Sequence, residues 1–265
     1  MALAPQSELE QALTLEPLAR GSYGCHLDMA WAQGPGVYGG IQAALMLSAM
    51  DDVVDDPLRS PRTLTVHFAR RARGGAGRVQ VEVVRQGRVL THLRASLFCD
   101  QQEVATAIGT FAAARDQVGL DRAPPAPHVP DWDSLSETQH GMIPPVFTSK
   151  LAFRDVFGTP FTGKATAELG GWGRFVDPSP MNPAHVVALI DAWAPAALAC
   201  FESPVPGASV DLSIHLHHGA SPLPELDGTP CLFYAKSEAI TDGYSEERAS
   251  LWSVDGRLLA TCRQN

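Results

Sequence analysis

The chain has 265 residues, 45% of them hydrophobic and 18% charged, with a formal net charge of −9. That is enough apolar material for a sizeable core. It is also an acidic balance with no basic block, which argues against a nucleic-acid surface, because phosphate recognition needs clustered Lys and Arg. The first residues, Met1 to Glu8, hold neither a positive n-region nor an apolar h-region, and no apolar run reaches the roughly 18 residues of a membrane helix, so a cytoplasmic protein without a membrane partner is expected. Five widely spaced cysteines (Cys25, Cys99, Cys200, Cys231 and Cys262) form no Cys-x-x-Cys pair and read as buried free thiols.

In chain order, an early strand is expected around Ala19–Leu27. Gly34-Pro-Gly-Val-Tyr38 then introduces a helix over Gly39–Met50, apolar almost all round and therefore buried. Strand candidates follow at Thr63–Phe68 and Val79–Val84. Arg94-Ala-Ser-Leu-Phe98, a short turn and Glu103–Phe111 read as a hairpin. The stretch 115–150 holds Pro124, Pro125, Pro127, Pro130, Pro144 and Pro145 without periodicity and reads as an ordered, irregular crossover.

The same order then returns. Early strands are expected within Phe153–Phe175, and an apolar helix runs from about Asn182 to Trp193. Ser209–Leu216 alternates, with Val210, Leu212, Ile214 and Leu216 on one face and Ser209, Asp211, Ser213 and His215 on the other, as in a strand with one face on a core. Cys231–Ala235 is a further strand. Arg248-Ala-Ser-Leu-Trp252, Asp255-Gly256 and Arg257–Cys262 form a second hairpin, where Asp-Gly is a strong signal because both residues reach positive φ. The repeated Arg-Ala-Ser-Leu-aromatic, set in matching element order, implies two tandem copies of one α+β unit. The boundaries are 1–115, a crossover at 116–150, and 151–265. Each unit is a buried helix wrapped by an antiparallel sheet.

Four features can carry chemistry. Asp191 falls within an otherwise apolar helix, where burial would raise a carboxyl toward the range of a general base. Gln264 ends the last strand and Ser209 opens the polar face of its own; with a carboxylate, a hydroxyl and an amide can hold a water. Tyr38-Gly39-Gly40 starts the first helix, where unpaired N–H groups and the positive dipole end suit a developing oxyanion. There is no Gly-x-Ser-x-Gly elbow, so a serine-hydrolase triad has no support. His215 and His217 share a face but lack an evident third ligand, so no metal site is expected.

At these residues the chain resembles the acyl-CoA thioesterase II (TesB-like) family. The resemblance rests on Tyr38-Gly39-Gly40, Thr65-Val-His-Phe68, Gly74-Gly75, Val84-Arg-Gln-Gly-Arg88, Asp191, Ala208-Ser-Val-Asp-Leu-Ser-Ile-His-Leu-His217 and Gly256-Arg-Leu-Leu-Ala-Thr-Cys-Arg-Gln264. It implies a double hotdog, two hotdog units forming one continuous sheet around two helices. It also implies hydrolysis of an acyl-CoA, or an acyl-carrier thioester, by water held at Asp191, Ser209 and Gln264, with the backbone around Tyr38, Gly39 and Gly40 polarising the carbonyl. At the hydroxyl position the best-known members carry Thr; Ser keeps the hydroxyl but loses the methyl that fixes its rotamer. No metal or redox cofactor is implied, coenzyme A arriving as part of the substrate. Trp193, Phe68 and Leu45 would line the acyl groove. Exposed sheet edges would favour a homo-oligomer. Two other readings stand beside this one: a hotdog enoyl-CoA hydratase or dehydratase, for which His185 would have to partner Asp191, and a non-catalytic acyl-CoA-binding module.

Overall fold

A computed structural model describes residues 6–115, 122–138, 144–177, 180–217, 223 and 226–265. The first half contains a short helix α1 (Glu8–Ala12), strands β1 (Glu16–Ala19) and β2 (Ser22–Leu27), a two-residue ribbon β3 (Ala32–Gln33) and β4 (Gly36–Val37), then helix α2 (Gly39–Val54). Four long strands follow: β5 (Arg59–Phe68), β6 (Gly75–Gln86), β7 (Leu90–Cys99) and β8 (Gln102–Ala113). The second half has β9 (Leu151–Gly158), β10 (Glu168–Phe175), helix α3 (Pro183–Ile190), then β11 (Asp211–Leu216), β12 (Cys231–Thr241), β13 (Tyr244–Trp252) and β14 (Leu258–Gln264). α1, which periodicity does not reveal, is set by a capping box: Ser7 accepts from the Glu10 N–H and the Glu10 carboxylate accepts from the Ser7 N–H.

Twelve strands make one sheet in the order β1-β2-β6-β7-β8-β5-β11-β14-β13-β12-β10-β9. Read from its two ends, the order is the same series: β1 answers β9, β2 answers β10, and β5 to β8 answer β11 to β14. The halves join where β5 and β11 pair antiparallel, Leu212 opposite Val66 and Ile214 opposite Leu64. α2 and α3 pack on each other and on the sheet. α2 is hidden because Ile41, Leu45, Met46 and Met50 all fall at 1% exposure or less, with Ala43, Ala44 and Ala49 keeping its neighbours close. Each such large side chain contributes roughly 1.5–3 kcal/mol by leaving water.

The repeated words fall on β7 and β13, at equivalent places in the two halves. The turns distribute differently from expectation. Asp255-Gly256 is not a two-residue hairpin: only Gly256 of the pair takes positive φ, and Ser253 bonds across to Arg257 instead. The two-residue turns with both φ positive are Asp100-Gln101, between β7 and β8, and Asp242-Gly243, which closes a β12 running six residues past its expected end at Ala235. β11 begins two residues later than expected. Leu212, Ile214 and Leu216 do face the core, but Val210 lies outside the strand and is 48% exposed.

The described part of the crossover, 122–138, straps the outer face of the second half. Pro124 and Pro130 carbonyls accept from the indoles of Trp252 and Trp172, and Trp132 lies under the guanidiniums of Arg154 and Arg174 at 4.2 and 5.3 Å. The proline-rich segment thus covers apolar side chains on the sheet face turned away from α3. All five cysteines are free; Cys99, Cys231 and Cys262 are buried and Cys25 and Cys200 half-buried.

Candidate active site

The two helices run antiparallel, so the start of α2 meets the end of α3. Asp191, expected inside the helix, instead caps it, at φ −91° and ψ 4°, because α3 stops at Ile190. Pro195, four residues on, has no N–H to continue the ladder. Trp193 turns instead to stack on Phe233 at 4.4 Å.

At this cap Asp191 retains some exposed surface as a residue, yet its carboxyl is enclosed by protein. The Gly40 N–H, at the positive end of α2, donates to it. Its own helix presents a negative end to the same carboxyl. Burial, then the like charge of Glu247, push its pKa up to about 8, with the Gly40 bond working in the opposite direction. The carboxyl is then largely protonated at neutral pH, a poised base rather than a fixed charge.

The glycines at the start of α2 are explained by close approach. A Cβ on Gly39 would lie 3.0 Å from the Asp191 Oδ2 and 3.1 Å from the Phe68 ring; one on Gly40 would clash with the Tyr38 hydroxyl and the adjoining ring edge. Tyr38 itself is fully buried, stacked on Phe147 at 4.1 Å, and its hydroxyl donates to the Ala188 carbonyl of α3. It therefore pins helix to helix, and its hydroxyl is not free for a ligand. Of the expected oxyanion donors, the Gly40 N–H is engaged by Asp191, while Gly39, first in the helix, has no intrahelical partner for its own N–H.

Gln264 lies on β14 opposite Glu247 of β13 and Leu212 of β11. Its amide nitrogen donates to Glu247 Oε1 at 2.9 Å, and its amide oxygen is buried without a partner among the described residues. Glu247 is 3% exposed, and its other oxygen accepts the Ala196 N–H. Ser209 is placed less tightly. It precedes β11, is exposed, and makes no hydrogen bond to Asp191 or Gln264 among the described residues. The next residue, Val210, ties that end of the chain together: its N–H donates to the Asn265 carbonyl at 2.7 Å and its carbonyl accepts the Phe68 N–H at 3.0 Å. The fold thus gathers Asp191, Gly39, Gly40, Phe68, Glu247 and Gln264, and leaves Ser209 at the rim of the same sheet end.

Glu247 was missed by sequence reading, although a signal existed. In the repeated words Glu247 stands one residue before Arg248 where Leu93 stands before Arg94, and Leu93 is fully buried in β7. A charged residue at a core leucine's place marks the departure. The register repeats as well: Leu93 pairs with Gly109 where Glu247 pairs with Gln264.

Of the expected groove residues, only Phe68 sits beside Asp191. Leu45 is wholly within the core and Trp193 is packed between Phe233 and Phe153. A cleft of about 330 Å³ opens instead at the far end of the helix pair, lined by Leu47, Ser48 and Asp51 of α2 and by Pro180, Asn182 and Pro183 at the start of α3. His185 points away from Asp191's end of α3, edge-on to Phe175. Neither ring nitrogen is bonded among the described residues, and burial pushes its pKa down to about 4. That arrangement does not supply the His–carboxylate pair a hydratase would need.

Two helices enclosed by one twelve-stranded antiparallel sheet, with a buried carboxyl where the helices meet, define a double-hotdog protein. The chain belongs to the acyl-CoA thioesterase family: the family's N-terminal domain matches residues 27–112 and its C-terminal domain residues 120–265. It is accordingly a thioester hydrolase. Among solved structures, a conserved hot dog protein of unknown function from Alicyclobacillus acidocaldarius is 25% identical, with a TM-score of 0.88 and coverage of 98% of this chain and 97% of that one. A provisionally assigned thioesterase II from Thermobifida fusca is 21% identical (TM-score 0.82, coverage 99% and 98%). The acyl-CoA thioesterase II TesB2 of Mycobacterium marinum is 20% identical (TM-score 0.74, coverage 97% and 96%). Among curated proteins none matches this sequence. No helix of the described residues is long and apolar enough to cross a membrane.

Proposed function

We propose that the chain hydrolyses acyl-CoA thioesters with Asp191 as general base, Gln264 and Ser209 as the groups that orient the water, and the Gly39 N–H as a donor to the carbonyl oxygen. The observation that carries this reading is the Asp191 carboxyl, enclosed against the positive end of α2 with its pKa raised to about 8. Water gives a proton to Asp191 as its oxygen bonds to the thioester carbon. The C–S bond then breaks, and the proton passes to the leaving thiolate, giving a carboxylic acid and free coenzyme A. A raised base is suited to that double duty, since it takes and returns the proton near neutral pH. Each step uses carboxylate, amide, hydroxyl and backbone groups. Ser209, at the rim of the same sheet end, would complete the set by donating its hydroxyl to that water.

The test is a thiol-release screen over short, medium, long and aromatic acyl-CoAs, with Asp191→Asn alongside the parent. A parent that releases thiol and a variant slowed by about a hundredfold or more support the assignment; a variant that keeps the full rate on every substrate the parent cleaves overturns it. Binding of acyl-CoA without thiol release by the parent would identify a binding module instead. We also infer self-association through β1, an end strand of the sheet with all four residues exposed; a monomer by light scattering refutes it.

A further inference from the structure

The proposed mechanism uses Gln264 but leaves open which end of its amide meets the water. The two ends are nearly the same size and chemically opposite: the NH2 donates and the oxygen accepts. A water facing the NH2 would spend one of its two lone pairs on that bond and have only one hydrogen fixed, by Asp191, leaving its attacking lone pair poorly aimed. A water facing the oxygen would give it one hydrogen, give the other to Asp191, and keep a lone pair for the thioester carbon.

Glu247 resolves the choice. It is a buried side chain of β13 whose two oxygens are both accounted for. Oε2 takes the Ala196 N–H, a group that can only donate, and Oε1 takes the Gln264 NH2 at 2.9 Å. Burial pushes the pKa of the Glu247 carboxyl up, while the donated bonds from the Ala196 N–H and the Gln264 NH2 hold it toward its ionised form. In that form it offers no hydrogen to the amide oxygen, so the flipped amide would set oxygen against oxygen in a buried site. Gln264 Oε1 is accordingly turned away from Glu247, buried and unpartnered among the described residues. Glu247 and Asp191 share this neighbourhood, since Glu247 is the charged group that Asp191 feels most.

We propose that Glu247 is a positioning residue that fixes the amide of Gln264 with its oxygen toward the hydrolytic water, so that Asp191 and Gln264 together accept that water's two hydrogens. This rests on the thioesterase reading above and adds a fourth side chain to its site. The first half of the chain supports a dedicated role: at the equivalent register it places Leu93 opposite Gly109, an apolar pair that fills space and orients nothing. A buried carboxylate at such a place costs stability, and its two hydrogen-bond donors and its contact with a site amide supply a reason for it.

Glu247→Gln tests this. The new amide can donate to Gln264 as readily as accept from it, so the orientation is no longer dictated. kcat on the best acyl-CoA should fall about tenfold or more, with KM changed by less than about twofold. The acid limb of the kcat/KM profile should move to lower pH, because Asp191 loses a like charge. The other titratable groups facing the cluster, Cys262 on β14 and Tyr38 at the start of α2, are held by burial well above their usual values and stay neutral through the assay. Added to Gln264→Ala, Glu247→Gln should cost kcat little more, since its effect passes through that amide. If Glu247→Gln does not fold, Glu247→Asp keeps the charge and shortens the reach: kcat should fall with the acid limb in place. Parent-like kcat in whichever variant folds, or a full additional loss on Gln264→Ala, overturns the proposal. Failure of the thioesterase reading is a separate result, seen as full activity in Asp191→Asn; an inactive Asp191→Asn beside an unimpaired Glu247 variant refutes this inference alone.

Discussion

Replacing Asp191 by Asn should remove activity and stabilise the protein, and the stabilisation should grow with pH. Asn has the same shape and keeps an oxygen to accept the Gly40 N–H, so the contact at the start of α2 survives while the ionisable group goes. In the folded chain the Asp191 carboxyl titrates near 8 against an ordinary value of 3.8. A folded pKa above the unfolded one means the folded state holds the proton more tightly. Its contribution is complete below about pH 4 and is lost as pH rises, while the unfolded chain ionises and the folded one does not. Above about 8 the loss is complete and the curve is flat. Four pH units at 1.36 kcal/mol each set an upper limit of about 5 kcal/mol. Urea unfolding of parent and variant at pH 5, 7 and 8.5, followed by circular dichroism, should show a gap in stability that widens in the variant's favour. A gap independent of pH would refute the buried, raised carboxyl, and with it the reason for regarding Asp191 as a tuned base.

The rate should follow the same group with the sign of a base: kcat/KM rises as pH climbs toward about 8, where Asp191 ionises, and a profile already flat from pH 5 upward would contradict it. Tyr38→Phe should leave the Ala188 carbonyl unpaired within the protein and cost about 1–3 kcal/mol in chemical denaturation, a loss of helix-to-helix attachment and not of a substrate contact. Leu45→Ala should cost about 2–5 kcal/mol by opening a cavity in the core, with acyl-chain preference unchanged; a shifted chain-length profile would return Leu45 to the groove.

The periodic and repeated parts of the molecule were legible because they depend on near neighbours along the chain. The apolar run from Gly39 and the alternation from Leu212 to Leu216 stand as helix and strand because burying one face demands those spacings. The role of the Tyr38 side chain was not legible for the opposite reason. The Gly-rich helix entry suggests backbone donors, but that its hydroxyl meets Ala188, 150 residues away, is a matter of packing. The end of α3 was misplaced by a few residues because Trp193 finds a better partner in Phe233 than in another helical turn. Asp242-Gly243 could have been read locally as a hairpin turn, but a strand that carries polar residues such as Lys236 and Glu238 on its exposed face is easily cut short at Ala235.

What the sequence by itself determined is the duplicated unit, since two buried helices with matching strand orders leave few ways to hide their apolar surfaces; Asp191 and Gln264 it offered only as candidates, a lone carboxyl in an apolar run and an amide on the last strand that the family resemblance singled out. What tertiary structure alone decided is how those groups are set. The antiparallel meeting of α2 and α3 brings the Gly40 N–H to Asp191, and the pairing of β13 with β14 brings Glu247 to Gln264 across 17 residues of chain. Proton affinity and amide orientation depend on burial and on charges a few ångströms away, and no spacing along the chain records either.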